Sequence, residues 1–342
     1  MKVLVTGGCG YIGSHTIVAL QEAGHTVVCA DNCSNSESYT ITAIAGITGH
    51  AARLYPIDLC NAADVHRMFD ENPDIAAIIH FAAFKAVGES VAQPLKYYSN
   101  NLVSLLNLLH EVRVRPAIRH FIFSSSCTVY GEPATIPVTE ETPERPAESP
   151  YGATKQMCER ILRDFVVSGS DSGPDVTLLR YFNPAGAHPS LQIGEVGYGP
   201  NLVPRLVGVA AKHHPAPFRI FGGDYPTADG TPMRDFIHVC DIAEAHCLAL
   251  QSGPHRLRIL NLGAGRGVTV GEALQTFTQV TGVNVPHEIA PRRPGDVSAI
   301  YADNSRARSE LGWTLRYGLE DIMRTAWGYE QRQQKRNPFI PK

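Results

Sequence analysis

The 342-residue chain has no apolar run that could cross a bilayer. Its longest uncharged apolar stretch, near Ile75–Phe84, falls well short of a spanning helix. It has no excess of charge of either sign: 30 Lys and Arg stand against 33 Asp and Glu, a net charge of −3. That excludes the basic face by which nucleic acid is bound. Its eight cysteines (Cys9, Cys29, Cys33, Cys60, Cys127, Cys158, Cys240, Cys247) include no C-x-x-C pair, which argues against a disulfide framework or a zinc knuckle. They read as buried free thiols in a reducing cytoplasm. There is no His-Glu-x-x-His among the 14 histidines, so no metal site is expected. Met1-Lys2 leads straight into an apolar strand, unlike a signal peptide. What is present is ordinary: 44% hydrophobic and 18% charged residues suit a globular chain with a sizeable core, in one large domain or two.

The first motif is a glycine loop. Lys2–Thr6 is short, apolar and β-branched, hence a strand. It breaks at Gly7-Gly8-Cys9-Gly10-Tyr11-Ile12-Gly13, and a helix is expected from about Tyr11 to Ala23. Glycines at 7, 10 and 13 let backbone approach a pyrophosphate, and the helix start offers unpaired amides and a positive dipole end. The second strand, Thr26–Ala30, ends in Asp31, 18 residues after Gly13. A carboxylate there suits a free ribose 2′-hydroxyl and repels a 2′-phosphate, so the expected cofactor is NAD.

Strand and helix go on alternating. Strands are expected at Ala52–Ile57, Ile75–His80 and Arg119–Phe123, and helices at about Ala62–Asp70 and Leu95–Val114. This predicts an α/β fold with a doubly wound parallel sheet covered on both faces. Ligands of such sheets bind at the carboxyl ends of the strands. Asp31, Asp58, Lys85, Ser126 and Tyr151 all fall just past strand ends or at the next helix start, so separate segments converge on one edge.

The second motif is Ser149-Pro-Tyr151-Gly-Ala-Thr-Lys155, where Pro150 suits a helix start. On a helix Tyr151 and Lys155 lie one turn apart on one face. A phenol, with a pKa near 10, is a poor base at neutral pH, and a neighbouring ammonium lowers that value. A drop of three units needs about 4 kcal/mol, within reach of two close cations at an effective dielectric near 20.

These motifs together resemble the extended short-chain dehydrogenases/reductases, and within them the UDP-glucose 4-epimerase family. The resemblance runs through VTGGCGYIGSH (Val5–His15), LKYYSNN (Leu95–Asn101), FIFSSSCTVYG (Phe121–Gly131) and SPYGATK (Ser149–Lys155). It continues in LRYFNPAGAHPS (Leu179–Ser190), FGGDYPTADGTPMRDFIHVCD (Phe221–Asp241), NLGAG (Asn261–Gly265) and APRRPGD (Ala290–Asp296), nearly the whole chain. It implies interconversion of UDP-galactose and UDP-glucose through a 4-keto sugar and transient NADH, and allows UDP-GlcNAc and UDP-GalNAc as further substrates. It implies that Tyr151 carries the proton of the sugar 4-hydroxyl, that Lys155 acidifies it and holds the nicotinamide ribose, and that Ser126 bonds the 4-oxygen.

By matched position the resemblance implies further contacts. Tyr11 and Ile12 lie over the pyrophosphate; Asp31, Asn32, Cys33, Ser34, Asn35 and Ser36 hold the adenosine ribose; Asp58 and Leu59 flank the adenine. Phe81, Ala82, Ala83, Lys85, Asn100 and Phe182 line the inner cofactor site. Asn183, Asn201 and Leu202 lie near the sugar and diphosphate. Arg219, Ile220 and Phe221 form the strand that holds uracil. Arg234 and Arg293 bind the diphosphate, bidentate contact suiting a guanidinium. Asp296 meets the uridine ribose. Ile300 departs from the pattern: many members carry Tyr there, beside the sugar 2-substituent, so Ile300 leaves room for leakage to acetamido sugars. Arg219, Arg292 and Arg316 also fit surface salt bridges. The resemblance further implies a homodimer joined through the helices near 95–114 and 155–168.

After Phe182 the composition turns to glycine- and proline-rich loops. The division expected is an NAD-binding domain over 1–180, with a strand near 258–262 returning to its sheet, and a substrate lobe over 181–342. Helices are expected there at about Val203–Lys212, Cys240–Gln251, Val270–Thr281, Ser305–Leu311 and Leu319–Gln334. Other readings are a nucleotide-sugar epimerase of different sugar, a 4,6-dehydratase and a non-catalytic NAD sensor. Cys127-Thr128 stand where a dehydratase needs an acidic pair, and a sensor has no use for Ser126, Tyr151 and Lys155 in register.

Overall fold

Apolar strands flanked by amphipathic helices bury their surface in layers, and the computed structural model, which describes residues 1–169, 173–197, 199, 201–293 and 297–336, shows two such layers on one sheet. The strands are β1 (Lys2–Thr6), β2 (Thr26–Ala30), β3 (Arg53–Tyr55), β4 (Ile75–His80), β5 (His120–Ser126), β6 (Asp175–Tyr181), β7 (Asn183–Ala185), β8 (Phe218–Phe221), β9 (Met233–Arg234), β10 (Phe236–His238), β11 (Leu257–Leu262), β12 (Val268–Thr269) and β13 (His287–Ala290). The helices are α1 (Tyr11–Glu22), α2 (Tyr39–Thr48), α3 (Ala62–Asp70), α4 (Val87–Ala92), α5 (Pro94–Val114), α6 (Pro150–Ser168), α7 (Leu202–Ala210), α8 (Val239–Gln251), α9 (Val270–Thr281), α10 (Ser305–Leu311) and α11 (Leu319–Arg336).

Seven strands form one sheet in the order β11-β6-β5-β4-β1-β2-β3, every pairing parallel. Alternate residues of each strand face opposite layers. Val3 and Val5 pack with α1, α2, α8 and α10 on one face. Leu4, Val28, Ile78 and Phe121 pack with α3, α5 and α6 on the other. The order reverses direction between β1 and β4, so the carboxyl edge there carries the crevice that a doubly wound sheet opens to ligands.

The remaining strands pair two by two: β10 with β7, β12 with β9, β13 with β8. They pack with α7, α9 and α11 around a second core, which includes Phe218, Ile220, Phe277 and Met323. A small cluster of Val129, Tyr130, Val138, Phe182, Ile300 and Ala302 joins the two parts. The sheet layer extends past residue 180, because β11, α8 and α10 all belong to it.

Two helices, α2 and α4, lie outside the sequence expectation. Tyr39–Thr48 is rich in Thr and Ile, which have modest helix propensity, and is held by burying Ala43 and Ile44 against the sheet. The strand expected over Ala52–Ile57 shortens to Arg53–Tyr55, an edge strand with only β2 to pair. No helix among the described residues is long and apolar enough to cross a membrane. All eight cysteines are free thiols, but only Cys9, Cys29, Cys158 and Cys247 are fully buried.

Candidate active site

The glycine loop leaves β1 and turns into α1 with no side-chain cap and no acid in its first turn. Its first amides therefore remain available at the positive end of the helix. Gly7 has φ +67°, and a Cβ there would lie 2.8 Å from the Ala82 amide nitrogen. A Cβ at Gly13 would collide with the Gly7 carbonyl oxygen. Gly10, the N-cap, donates its amide to Gly7 O at 3.1 Å. A cradle that admits no side chain and presents uncapped amides fits the pyrophosphate of a dinucleotide.

Asp31 ends β2 beside this loop. Its carboxylate accepts from the Cys9 amide at 2.9 Å, the Cys33 amide at 2.8 Å and Ser36 Oγ at 3.1 Å. The acid thus ties the glycine loop to the 32–36 turn, where Asn32 Oδ1 accepts the Ser34 amide and Cys33 takes φ +55°. Asn32, Ser34 and Asn35 are exposed on that turn. Tyr11 donates its hydroxyl to Gly186 O at 2.7 Å, linking the first turn of α1 to the segment after β7, and Ile12 packs at the edge of the sheet core.

Phe81, Ala82 and Ala83 follow β4, and Phe81 stacks near His246 with ring centres 4.8 Å apart. Lys85 lies at the rim, paired with Glu195 at 3.2 Å. Asn100 sits on α5 and donates to Asn101 Oδ1. Asp58 is exposed and accepts the Cys60 amide at 2.9 Å. The Leu59 side chain belongs to the buried core, so its expected place flanking an adenine falls to its backbone alone.

At the end of β5, Ser126 accepts the Thr128 amide at 3.2 Å and caps the 3-10 turn Cys127–Tyr130. Ser149 caps α6 by accepting the Gly152 amide, which sets Tyr151 in the first turn and Lys155 one turn on. Lys155 is buried and donates to Ser124 O at 2.5 Å. Its Nζ lies 5.9 Å from the Tyr151 ring centre. Burial pulls the Lys155 ammonium down to about 8. Burial also pushes the Tyr151 phenol up to about 12, with the Ser126 hydroxyl pulling the other way.

The chain's own groups therefore do not acidify the Tyr151 phenol. Lys155 is one turn away as predicted, but its ammonium is aimed at a β5 carbonyl and desolvation dominates at Tyr151. Burial pushes the Cys127 thiol up to about 12, against the pull of the Arg234 charge.

Phe182 and Ile300 pack in the joining cluster, Ile300 6% exposed. Asn183 opens β7, and its buried Oδ1 has no hydrogen-bond partner among the described residues. Asn201 stands exposed at the N-cap position of α7 without a side-chain capping bond, and Leu202 is the first residue of that helix. On β8, Ile220 points into the core of the lobe, so only its backbone can meet a ligand. Its neighbours alternate outward: Arg219 pairs with Glu288 at 2.9 Å, and Phe221 lies under the Arg293 guanidinium at 3.6 Å. Arg292 pairs with Asp224 at 2.7 Å and Arg316 with Glu244, both at the surface. Arg234 ends β9, with Nη1 donating to Met233 O at 2.8 Å. Asp296 lies outside the described residues. Among those residues no group of three or more His, Cys, Asp or Glu is placed to hold a metal ion.

Sequence reasoning missed the support beneath this site. Arg180 and Glu159 form a buried pair, Arg180 Nη2 to Glu159 Oε2 at 2.6 Å and Nε to Oε1 at 2.9 Å. Ser125, between Ser124 and Ser126, donates to the same Glu159 Oε1 at 2.6 Å. The pair therefore fastens α6, β5 and β6 to one another below Tyr151 and Lys155. A signal was available: Arg180 is the one charge inside the apolar run VTLLRYF, and Glu159 lies one turn past Lys155.

Residues 3–263 match the model of the NAD dependent epimerase/dehydratase family. The UDP-glucose 4-epimerase of Neisseria meningitidis serogroup C is 46% identical over 333 residues, covering 95% of this chain and 96% of that protein. Among solved structures, the UDP-glucose 4-epimerase of Stenotrophomonas maltophila with bound NAD and formylated UDP-arabinopyranose superposes with TM-score 0.94 at 43% identity, covering 98% of this chain and 99% of that one. The enzyme of Bifidobacterium longum in complex with NAD+ and UDP superposes with TM-score 0.91 at 41% identity, over 99% of both chains. The chain aligns almost end to end with these enzymes and belongs to the NAD dependent epimerase/dehydratase family.

Proposed function

We propose that the protein is an NAD-dependent isomerase that interconverts UDP-galactose and UDP-glucose at C4 of the hexose. The observation that carries this is the grouping of Ser126, Tyr151 and Lys155 where β5 ends and α6 begins, on the sheet whose first strand leads into the glycine loop. The relatives named above are UDP-glucose 4-epimerases, and two of them hold NAD with UDP or a UDP-sugar.

The oxidised nicotinamide supplies a reversible hydride acceptor and a positive charge when bound. The protein supplies the proton path. Tyr151 removes the proton of the sugar 4-hydroxyl and returns it, with Ser126 bonded to the same oxygen. Bringing a phenol from about 12 to neutrality requires ~7 kcal/mol of differential stabilisation. The Lys155 ammonium lies 5.9 Å from the ring centre, and the phenol stands at about 12 with that charge already in place. Lys155 alone leaves Tyr151 protonated, and a second cation brought with the ligands is needed to make it a base. The design confines the base to the loaded site.

Arg234 and Arg293 bind the diphosphate, and Asn183 offers its unpartnered carbonyl to the sugar. The NAD-binding part is assigned to 1–180 together with β11, and the UDP-sugar lobe mainly to 181–342. The protein is a homodimer in this reading, joined through α5 and α6; Leu95, Val103 and Leu106 on α5 and Met157 on α6 are exposed apolar residues, Leu95 by 78%. The reaction belongs to the cytoplasm, where nucleotide sugars and free thiols coexist.

Incubation with UDP-galactose and with UDP-N-acetylgalactosamine in separate reactions, followed by sugar analysis, tests the activity and its breadth. UDP-glucose should accumulate readily, with slower turnover of the acetamido sugar past Ile300. No UDP-glucose would refute the activity, and equal rates would refute the preference.

A further inference from the structure

Asp235 follows Arg234 at the point where the chain passes from β9 to β10. It is fully buried, and its carboxylate is held by backbone amides: Ala264 donates to Oδ1 at 2.6 Å, Gly265 to Oδ2 at 3.2 Å and Ala302 to Oδ2 at 3.0 Å. Burying a carboxylate is costly unless hydrogen bonds replace its water. Burial pushes this one up to about 6, against the pull of the three amides.

Those amides come from two segments distant in sequence, the loop after β11 and the stretch ending at Ala302. The backbone around Asp235 is fastened to the second segment as well: Met233 N donates to Ser298 O at 2.9 Å and Ile300 N to Met233 O at 3.2 Å. On the other side Asn183 N donates to Asp235 O at 2.9 Å. Arg234, Asn183 and Ile300, three residues assigned to the substrate, therefore all hang from the backbone that Asp235 anchors. Gly263 completes the fit, since a Cβ there would collide with Asp235 Oδ2.

We propose that Asp235 is a positioning residue, whose carboxylate ties loop 263–265 and Ala302 to the backbone of Arg234 and so sets the guanidinium for a nucleoside diphosphate. This rests on the assignment of Arg234 to the diphosphate. Chemistry makes the role specific to a carboxylate. An ionised Asp accepts at both oxygens, whereas Asn must present an NH2 on one side. In Asp235→Asn that NH2 faces the Gly265 and Ala302 donors, or, flipped, the Ala264 donor.

The test is a double-mutant cycle read by calorimetric titration of the full-length protein with UDP. Asp235→Asn should weaken UDP binding about 10-fold, the scale of one buried donor left unmatched. It should raise KM for UDP-galactose by a similar factor and leave kcat within about 3-fold, as for uniform binding lost. In an Arg234→Gln background the same change should cost less than about 2-fold, because the group it positions is gone. An equal loss in both backgrounds, or no loss in the first, overturns the proposal. If Asp235→Asn does not fold cooperatively, Gly263→Ala takes its place in the cycle. Failure of both to fold also overturns it, by making Asp235 a requirement of folding. A parent protein that binds UDP but converts no UDP-sugar would sink the proposed reaction and leave this inference standing.

Discussion

Tyr151→Phe is expected to lower kcat by roughly two to four orders of magnitude while UDP-galactose still binds, the scale of a lost general acid–base group. The substitution removes one oxygen. The ring stays, and so does the helix start, since Ser149 caps α6 and Pro150 precedes the tyrosine. Lys155 keeps its bond to Ser124 O, and Ser126 keeps the Thr128 amide. The hydroxyl's contact with Ser126 is lost, while the bonds that hold the end of β5 and the start of α6 stay, so the loss should fall on turnover and not on affinity. Steady-state rates with a parallel titration of UDP separate the two. Undiminished turnover would remove Tyr151 from the chemistry.

The second large effect is on stability. Glu159→Ala is expected to cost about 3–5 kcal/mol, because it strands a guanidinium inside the protein. Arg180 is 1% exposed and donates two of its hydrogen bonds to Glu159. Glu144 remains as a partner at 2.8 Å, which favours the lower end of that range. Ser125 Oγ loses its acceptor too. Denaturant unfolding measures the change; a loss under about 1 kcal/mol would show that the pair is not an anchor. Surface pairs such as Arg160–Asp164 or Arg219–Glu288 should by contrast contribute little, since water already satisfies both partners.

The contrast between these residues shows what the sequence could reveal. Parallel strands buried on both faces read as apolar runs, so β1, β2, β4, β5 and β11 were visible, and the glycine loop and Asp31 could be placed at their ends. Tyr151 and Lys155 could be put on one helix face because the helical period is local. Glu159 and Arg180 meet across a helix and a strand 21 residues apart, and no local period announces that. Strands β7, β9, β10 and β12, two or three residues each, exist through pairing with distant partners and carry no alternation to read. Ile220 shows the converse: its motif marked the strand, but which side chain faces inward depends on the core that β8 covers. The direction of the Tyr151 shift was illegible for a physical reason as well. A charge four residues away can be counted from sequence, whereas desolvation depends on everything else that closes over the ring.

The central claim is that the hydrogen at C4 leaves and returns within one site, beside a tyrosine that exchanges only the hydroxyl proton. UDP-galactose carrying deuterium at C4 of the sugar, converted in ordinary water, tests it directly. The expected product is UDP-glucose that retains the deuterium at C4. Product with that label lost to solvent would mean the carbon-bound hydrogen leaves as a proton, and would contradict the mechanism built on Ser126, Tyr151 and Lys155.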